Sequence, residues 1–236
     1  MSSIFKRYEA KYLITKAQST ALLETLSTHM ISDQFGEYLV QNLYYDTENW
    51  DVIRTSIEKP IYKEKMRLRC YGTPAKESDL YLELKKKHKG IVYKRRIAFP
   101  GLRLSGKDVR DIVAEEPSQI SQELGFYLKI NPVFEKIYLS YKRRAFTGTT
   151  DKGLRITFDT DIRYRLHDLA FQKPDLGTSI LLPGQTIMEI KTLGGMPLWL
   201  ARTLSKHKIY QTSFSKYGSC YTDCIGKQGR ELKHNA

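Results

Sequence analysis

Lys65, Arg67 and Arg69 stand two residues apart in the segment KMRLR, with Met66 and Leu68 between them. Alternate residues of a β-strand share a face, so this spacing puts three cations on one side and the apolar pair on the other. Glu83, Lys85 and Lys87 alternate in the same way with Leu82 and Leu84, and Lys94 and Arg96 follow in the next stretch. Arg143 and Arg155 occupy later strand-like segments, and Glu189 and Lys191 flank Ile190. The apolar side of each segment must pack against helices, which leaves a charged side that recurs from strand to strand. For any one strand that side reads first as a solvated face, which is what a charged alternation usually means. Repeated over many strands it sets like charges beside one another, and such neighbours repel. Two unit charges about 4 Å apart interact by about 4 kcal/mol at an effective dielectric near ~20, so the cations need a counter-charge. Phosphate oxygens supply one, with Arg binding them in bidentate fashion and Lys acting as a point charge.

Carboxylates lie among these cations. Glu9, Glu83, Asp159 and Glu189 are close in sequence to Lys11, Lys85, Arg155 and Lys191. Each acid alone reads as a salt-bridge partner of its neighbour. A site that also holds Mg²⁺ or Mn²⁺ makes a different use of them, because hard divalent cations take carboxylate oxygen and bridge it to phosphate oxygen.

The elements that must carry these residues follow from periodicity and turn signals. Residues 6–14 predict an opening strand, and Thr15 caps a helix through about Leu26. Tyr38 to Asp46 suits a strand, followed by a short helix capped by Thr47. Residues 60–71, 79–88 and 91–99 all alternate, with a tight connection at His88-Lys89-Gly90. A mostly helical insert runs from Ser105 to about Lys129, interrupted at Pro117. Strands resume at 133–146, 153–160 and 186–192, and Met196 to about Tyr210 reads as a final amphipathic helix. No repeat, low-complexity tract or linker divides the 236 residues, so a single domain over 1–236 is expected.

Composition narrows the partners. Lys and Arg outnumber Asp and Glu by 39 to 26, a net charge of +13 that favours polyanions. The N-terminus has no apolar core of signal-peptide length and no later run reaches the ~18 apolar residues of a membrane span, which predicts a cytoplasmic protein. Cys70, Cys220 and Cys224 are odd in number, and no His stands at a zinc spacing from the last two, so they read as reduced thiols. Neither a GxxxxGK[ST] loop nor GxGxxG is present, which argues against P-loop and Rossmann sites. The run Lys85-Lys86-Lys87-His88-Lys89 could pass for a nucleic-acid patch, but acids placed among the bases disfavour a phosphodiester backbone, and DNA is not an expected partner.

The succession YEAKY (8–12), LYYDT (43–47), KMRLR (65–69), YLELKKKHKGIVYKRR (81–96), YKRRAF (141–146), LRITFDT (154–160), MEIK (188–191) and FSKY (214–217) resembles the VTC domain. That domain is the catalytic module of the vacuolar transporter chaperone polyphosphate polymerase, within the CYTH-like triphosphate tunnel metalloenzymes. The resemblance spans nearly the whole chain, and its specificity lies in the order of the motifs.

It implies a β-dominated α+β fold, a closed antiparallel β-barrel or tunnel with flanking helices, lined by Lys and Arg. In the family such a tunnel holds ATP or another nucleoside triphosphate at Mn²⁺ or Mg²⁺ and transfers the terminal phosphoryl group to a polyphosphate chain. Carried over by motif, the catalytic phosphate-binding residues would be Lys11, Arg67, Arg69, Lys85, Lys94, Arg143, Arg155, Lys191 and Lys216. Of these, Lys11 and Lys216 rest on the resemblance alone. Lys65, Lys87 and Arg96 join them as phosphate-binding residues on the face argument. Glu189 is the first metal candidate, followed by Glu9, Glu83 and Asp159. Tunnel hydrolases open with ExExK, and here Arg7 takes the first Glu position, which costs the triphosphatase reading a metal carboxylate and favours a polymerase. A non-catalytic polyphosphate- or RNA-binding module is the reading from another class. Family members are often tied to a membrane partner that accepts the product, which leaves room for membrane association through such a partner.

Overall fold

The computed structural model describes residues 8–74, 78–89, 91–104, 107–171, 173 and 176–234, with side chains described as far as 226. Arg7 and Ser105, to which the sequence assigned a departure from ExExK and a helix cap, lie outside the described residues. Strand β1 (Tyr8–Ile14) leads into helix α1 (Lys16–Leu26). Thr15 caps α1 through a reciprocal box with Gln18, as an N-cap Thr with Gln three residues on should do. Strand β2 (Met30–Asp46) starts earlier than its pattern announced. Its first half, Ser32-Asp33-Gln34-Phe35-Gly36, is rich in turn formers, and Gly36 takes a φ of 62° that strand residues avoid.

Helix α2 (Asp51–Ile57) begins later than Thr47, with Trp50 in a left-handed conformation at its N-cap, although the Thr47 hydroxyl still accepts from the Asp51 N–H at 3.0 Å. Trp50 offers no capping side chain; instead the buried Asp46 carboxylate accepts from the backbone N–H groups of Thr47, Val52 and Ile53. Strands β3 (Tyr62–Tyr71), β4 (Asp79–His88) and β5 (Ile91–Pro100) follow as expected. The helical insert resolves into a short 3₁₀ turn (Gly101–Leu104), α3 (Val109–Glu115) capped by Asp108, and α4 (Gln119–Ile130) capped by Ser118, separated at Pro117. Then come β6 (Phe134–Gly148), β7 (Arg155–Arg165), β8 (Thr178–Ser179), β9 (Thr186–Thr192), α5 (Leu198–Lys206), β10 (Gln211–Thr212) and α6 (Lys216–His234). No pattern in the sequence singled out α6.

The strands pair in the order β10-β1-β9-β7-β6-β2-β3-β4-β5, with β8 on β7, a ten-stranded antiparallel sheet. The order ends at β5 and at β10, and no described pairing joins these two edges. The expectation of a closed barrel is corrected accordingly: the hydrogen-bonded sheet is open. β10 has two residues, too few to carry a closing ladder, and its pairing with β1 reaches only Lys11 and Tyr12. The fold is β-dominated α+β. No described helix is long and apolar enough to cross a membrane.

Two compact units divide the chain. The first takes the described residues of Met1–Tyr38, Tyr141–Ile162 and Ser179–Ser215. The second takes Leu39–Ser140, Arg163–Thr178 and Lys216–Ala236 as far as they are described. In the first, Tyr12, Ile14, Ile156, Phe158, Met188 and Ile190 of the strands bury against Leu22 and Leu26 of α1 and Leu200 and Leu204 of α5. In the second, Met66, Leu68, Leu80, Leu82 and Leu84 bury with Ile112 and Val113 of α3 and Leu124 and Leu128 of α4. Full burial of one such side chain contributes about 1.5–3 kcal/mol, so register is dictated by the apolar alternation. The opposite strand faces then carry the charged residues.

Candidate functional site

In the second unit the strand register assembles the cations into cross-strand rows. Arg67 stands opposite Tyr44 on one side and Glu83 on the other, and Glu83 stands opposite Arg96. Lys65 pairs with Lys85 and Lys85 with Lys94, while Lys63 pairs with Lys87. Arg69 is opposite Asn42 and Tyr81. Directly opposed residues share a face, so Lys65, Arg67, Arg69, Lys85, Lys87, Lys94 and Arg96 are brought to one surface of β3, β4 and β5. Lys86 and Arg95 fall on the other face and pair with Glu123 of α4.

Glu83 is the hub of this surface. It is 1% exposed, yet it meets cations from three directions. Arg67 donates to it from Nε at 2.8 Å and from Nη2 at 2.7 Å, Lys94 lies 2.6 Å away, and Arg96 Nε donates at 2.7 Å. Arg69 is a further 3.9 Å neighbour. Burial alone would raise the Glu83 pKa, but Arg67, Arg69 and Lys94 outweigh it and hold the carboxyl well below the usual carboxylate range. Burial lowers the Lys94 pKa against the opposing pull of Glu83.

A polar shell aims the guanidiniums. Asn42 Oδ1 accepts from Arg69 Nε at 2.9 Å, and the Asn42 amide donates to the Leu139 carbonyl. Tyr44 hydroxyl accepts from Arg67 Nη1 at 2.9 Å. The Tyr44 ring stacks on Tyr217 with centroids 4.5 Å apart, and Tyr217 donates to Asp46 at 2.5 Å. Lys65 Nζ lies over the Tyr217 ring, so the start of α6, which also carries Lys216, is tied to this strand surface. Tyr71 hydroxyl bridges Arg69 and Arg96 at 3.3 Å each. Burial pushes the Tyr71 phenol up, but the two guanidiniums prevail and bring it down to about 8.

The first unit carries its own charged face. Lys11, Glu189 and Thr157 form one row across β1, β9 and β7, and Glu9, Lys191 and Arg155 form the next. Glu189 is buried and ion-paired with Lys191. Lys11 Nζ lies 3.3 Å from Glu9 and donates to the Phe214 carbonyl at 3.1 Å. Arg143 grips Asp159 through two bonds, Nε to Oδ1 at 2.6 Å and Nη2 to Oδ2 at 2.8 Å, with its guanidinium over the Tyr141 ring. Asp159 is fully buried, and Arg143 is raised well above the ordinary arginine pKa, burial being outweighed by Tyr141, Asp159 and Glu189.

These contacts sort the acids. Guanidiniums take both oxygens of Asp159, and arginines with Lys94 take those of Glu83. Glu189 pairs with Lys191 and also acts on Arg143, and Glu9 pairs with Lys11. No group of three or more His, Cys, Asp or Glu suited to a metal occurs among the described residues. A single buried carboxylate still fits a hard divalent cation that draws most of its ligands from phosphate and water, as Mg²⁺ commonly does. The buried Thr157 hydroxyl, opposite Glu189 and without a hydrogen-bond partner, is an oxygen of the right kind in the right row.

A family profile described as the VTC domain matches residues 6–224. The chain belongs to the VTC domain family. Among curated proteins no sequence matches. Similar solved structures include one called a putative adenylate cyclase from Vibrio parahaemolyticus, 11% identical, covering 91% of this chain and 97% of that one, with a TM-score of 0.49. A protein from Pyrococcus horikoshii OT3 is 13% identical over 92% of this chain and 99% of that one, with a TM-score of 0.46. The Mimivirus capping enzyme triphosphatase is 9% identical over 85% and 88%, with a TM-score of 0.35. At these scores the likenesses add nothing to the argument.

Within the VTC domain, sequence reasoning named the cations and acids but missed the side chains that aim them. Of Asn42, Tyr44, Asp46, Tyr71 and Tyr217, three had a signal, since Tyr44 and Asp46 lie in LYYDT and Tyr217 in FSKY. Their roles depend on contacts across the chain that no local period encodes.

Proposed function

We propose that the chain is a single VTC domain acting as an ATP-dependent polyphosphate polymerase in the cytoplasm, with Mn²⁺ or Mg²⁺ as cofactor. The observation that carries this reading is the buried Glu83 amid Arg67, Arg69, Lys94 and Arg96, with Lys65 and Lys85 in the adjoining row. A surface this rich in arginine and lysine suits a chain of phosphates, whose oxygens carry negative charge along the same rows.

Arg67, Arg69 and Arg96, held in place by Glu83, Asn42 and Tyr71, present fixed donors to phosphate oxygens at little reorganisation cost. Lys85, Lys87 and Lys65 add charge that tolerates a sliding chain, since an ammonium imposes no planar geometry. On the first unit, Lys11, Arg155, Lys191 and Arg143 are assigned the same phosphate-holding role, and on the second unit Lys216 of α6 is assigned it too. Glu189 would hold the divalent cation, whose positive charge would offset the negative charge that builds up in transfer. No side chain is needed as a covalent nucleophile, because phosphoryl transfer is governed by positioning and electrostatics. A membrane-protein partner that accepts the product remains compatible with this assignment.

Binding is tested by melting the protein with tripolyphosphate against salt of matched ionic strength. A ligand that binds only the native state at about 100 times its Kd adds about 2.7 kcal/mol, or roughly 5–10 °C for a chain of this size. Absence of any shift beyond the salt control would remove the phosphate site.

A further inference from the structure

We propose that the hydroxyl of Thr157 is a second protein oxygen for the divalent cation held at Glu189, an inference that rests on the metal-dependent reading above. Thr157 is 3% exposed, and its Oγ1 is shut off from solvent with no hydrogen-bond partner. Buried hydroxyls are almost always paired, because leaving one unpaired forfeits its hydration without return. Only one other side-chain atom among the described residues shares this condition, the hydroxyl of Tyr127. Tyr127 belongs to the helix-packed core of the second unit, where its ring is what fills space.

Thr157 is placed differently. Its neighbours Ile156 and Phe158 point into the core of the first unit, so Thr157 lies on the opposite face with Arg155 and Asp159. Directly across the strand pair stands Glu189, and beyond Glu189 stands Lys11. The nearby hydrogen-bonding groups are engaged: Arg143 takes both Asp159 oxygens, and Lys11 bonds to the Phe214 carbonyl and Glu9. A neutral hydroxyl beside one buried carboxylate offers two hard oxygens and a single negative charge. That donor set suits Mn²⁺ or Mg²⁺ with the remaining positions left to water and phosphate oxygen. An unpaired hydroxyl thus costs the protein stability without metal, and the cost is recovered when a cation takes the oxygen.

This separates a ligand from a packing residue. Thr157→Val preserves shape and removes the oxygen, so melting of the full chain in EDTA should match or exceed wild type. Titration with Mn²⁺ alone, followed by water-proton relaxation, should show binding weakened by about 10-fold or more, and Thr157→Ser should restore most of it. Unchanged Mn²⁺ affinity in Thr157→Val, or a melting point below wild type in EDTA, overturns the proposal. So does weaker tripolyphosphate binding in EDTA with Mn²⁺ affinity intact, which would make Thr157 a phosphate donor instead. If Glu189→Gln binds Mn²⁺ as well as wild type does, the metal assignment of the proposed function fails along with it, an outcome distinct from loss of the Thr157 contribution alone.

Discussion

Glu189→Gln is expected to leave a folded, phosphate-binding protein whose turnover has fallen roughly 100- to 1000-fold, the range seen when one preorganised electrostatic contact to a transition state is removed. The substitution keeps the volume of a side chain in a strand buried on both faces, with Met188 and Ile190 packed in the core beside it. Glutamine keeps an acceptor oxygen for the partly exposed Lys191, so the fold is expected to survive the loss of that ion pair. What disappears is the negative oxygen that a divalent cation requires. Arg155→Ala, in the adjoining row, should instead weaken tripolyphosphate binding together with rate. Turnover and tripolyphosphate affinity measured across a manganese titration separate the two variants. Near wild-type turnover in Glu189→Gln at every manganese concentration would reduce the residue to a salt-bridge partner of Lys191.

Glu83→Gln should have the largest effect on stability. Removing one partner from a buried ionic cluster leaves the others uncompensated, at a cost of about 3–5 kcal/mol. For a chain of this length that is a fall of roughly 10 °C in Tm. Tripolyphosphate should recover more stability in the variant than in wild type, because its oxygens replace the missing counter-charge. The pH dependence has a definite sign. Glu83 has a folded pKa depressed below its unfolded value, near ~4.3. Its contribution is therefore complete above the unfolded value and is lost as pH falls through the depressed folded one. Between these limits wild type should lose stability more steeply with acid than Glu83→Gln does. Equal melting points at neutral pH, or parallel acid limbs, would mean that the cations do not depend on this carboxylate.

The sheet and the sidedness of its strands could be read from alternation, since one-residue spacing decides which face each side chain joins. KMRLR and YLELKKK therefore announced both their buried leucines and their cation surface. Length and closure could not be read in the same way. Ser32 to Gly36 looks like a turn although it is the first half of β2, and the two-residue strands β8 and β10 are too short to show a period. The acids illustrate a further limit. Glu9, Glu83, Asp159 and Glu189 are equivalent in a strand pattern, and only contacts through space show that Arg67 and Arg96 hold Glu83, that Arg143 holds Asp159 and that Lys191 pairs with Glu189. Thr157 gives no sequence signal, because a threonine in a strand is ordinary and its missing hydrogen bond exists only in the folded arrangement.

The central claim is the reaction, and its products decide it. Purified full chain incubated with ATP and Mn²⁺ should yield ADP and long-chain polyphosphate in step, with little free orthophosphate, when products are resolved by gel electrophoresis and ³¹P NMR. Orthophosphate as the main product would make this VTC domain a triphosphate hydrolase, and binding of tripolyphosphate without turnover would make it a polyphosphate-binding module. Either result would contradict the polymerase assignment.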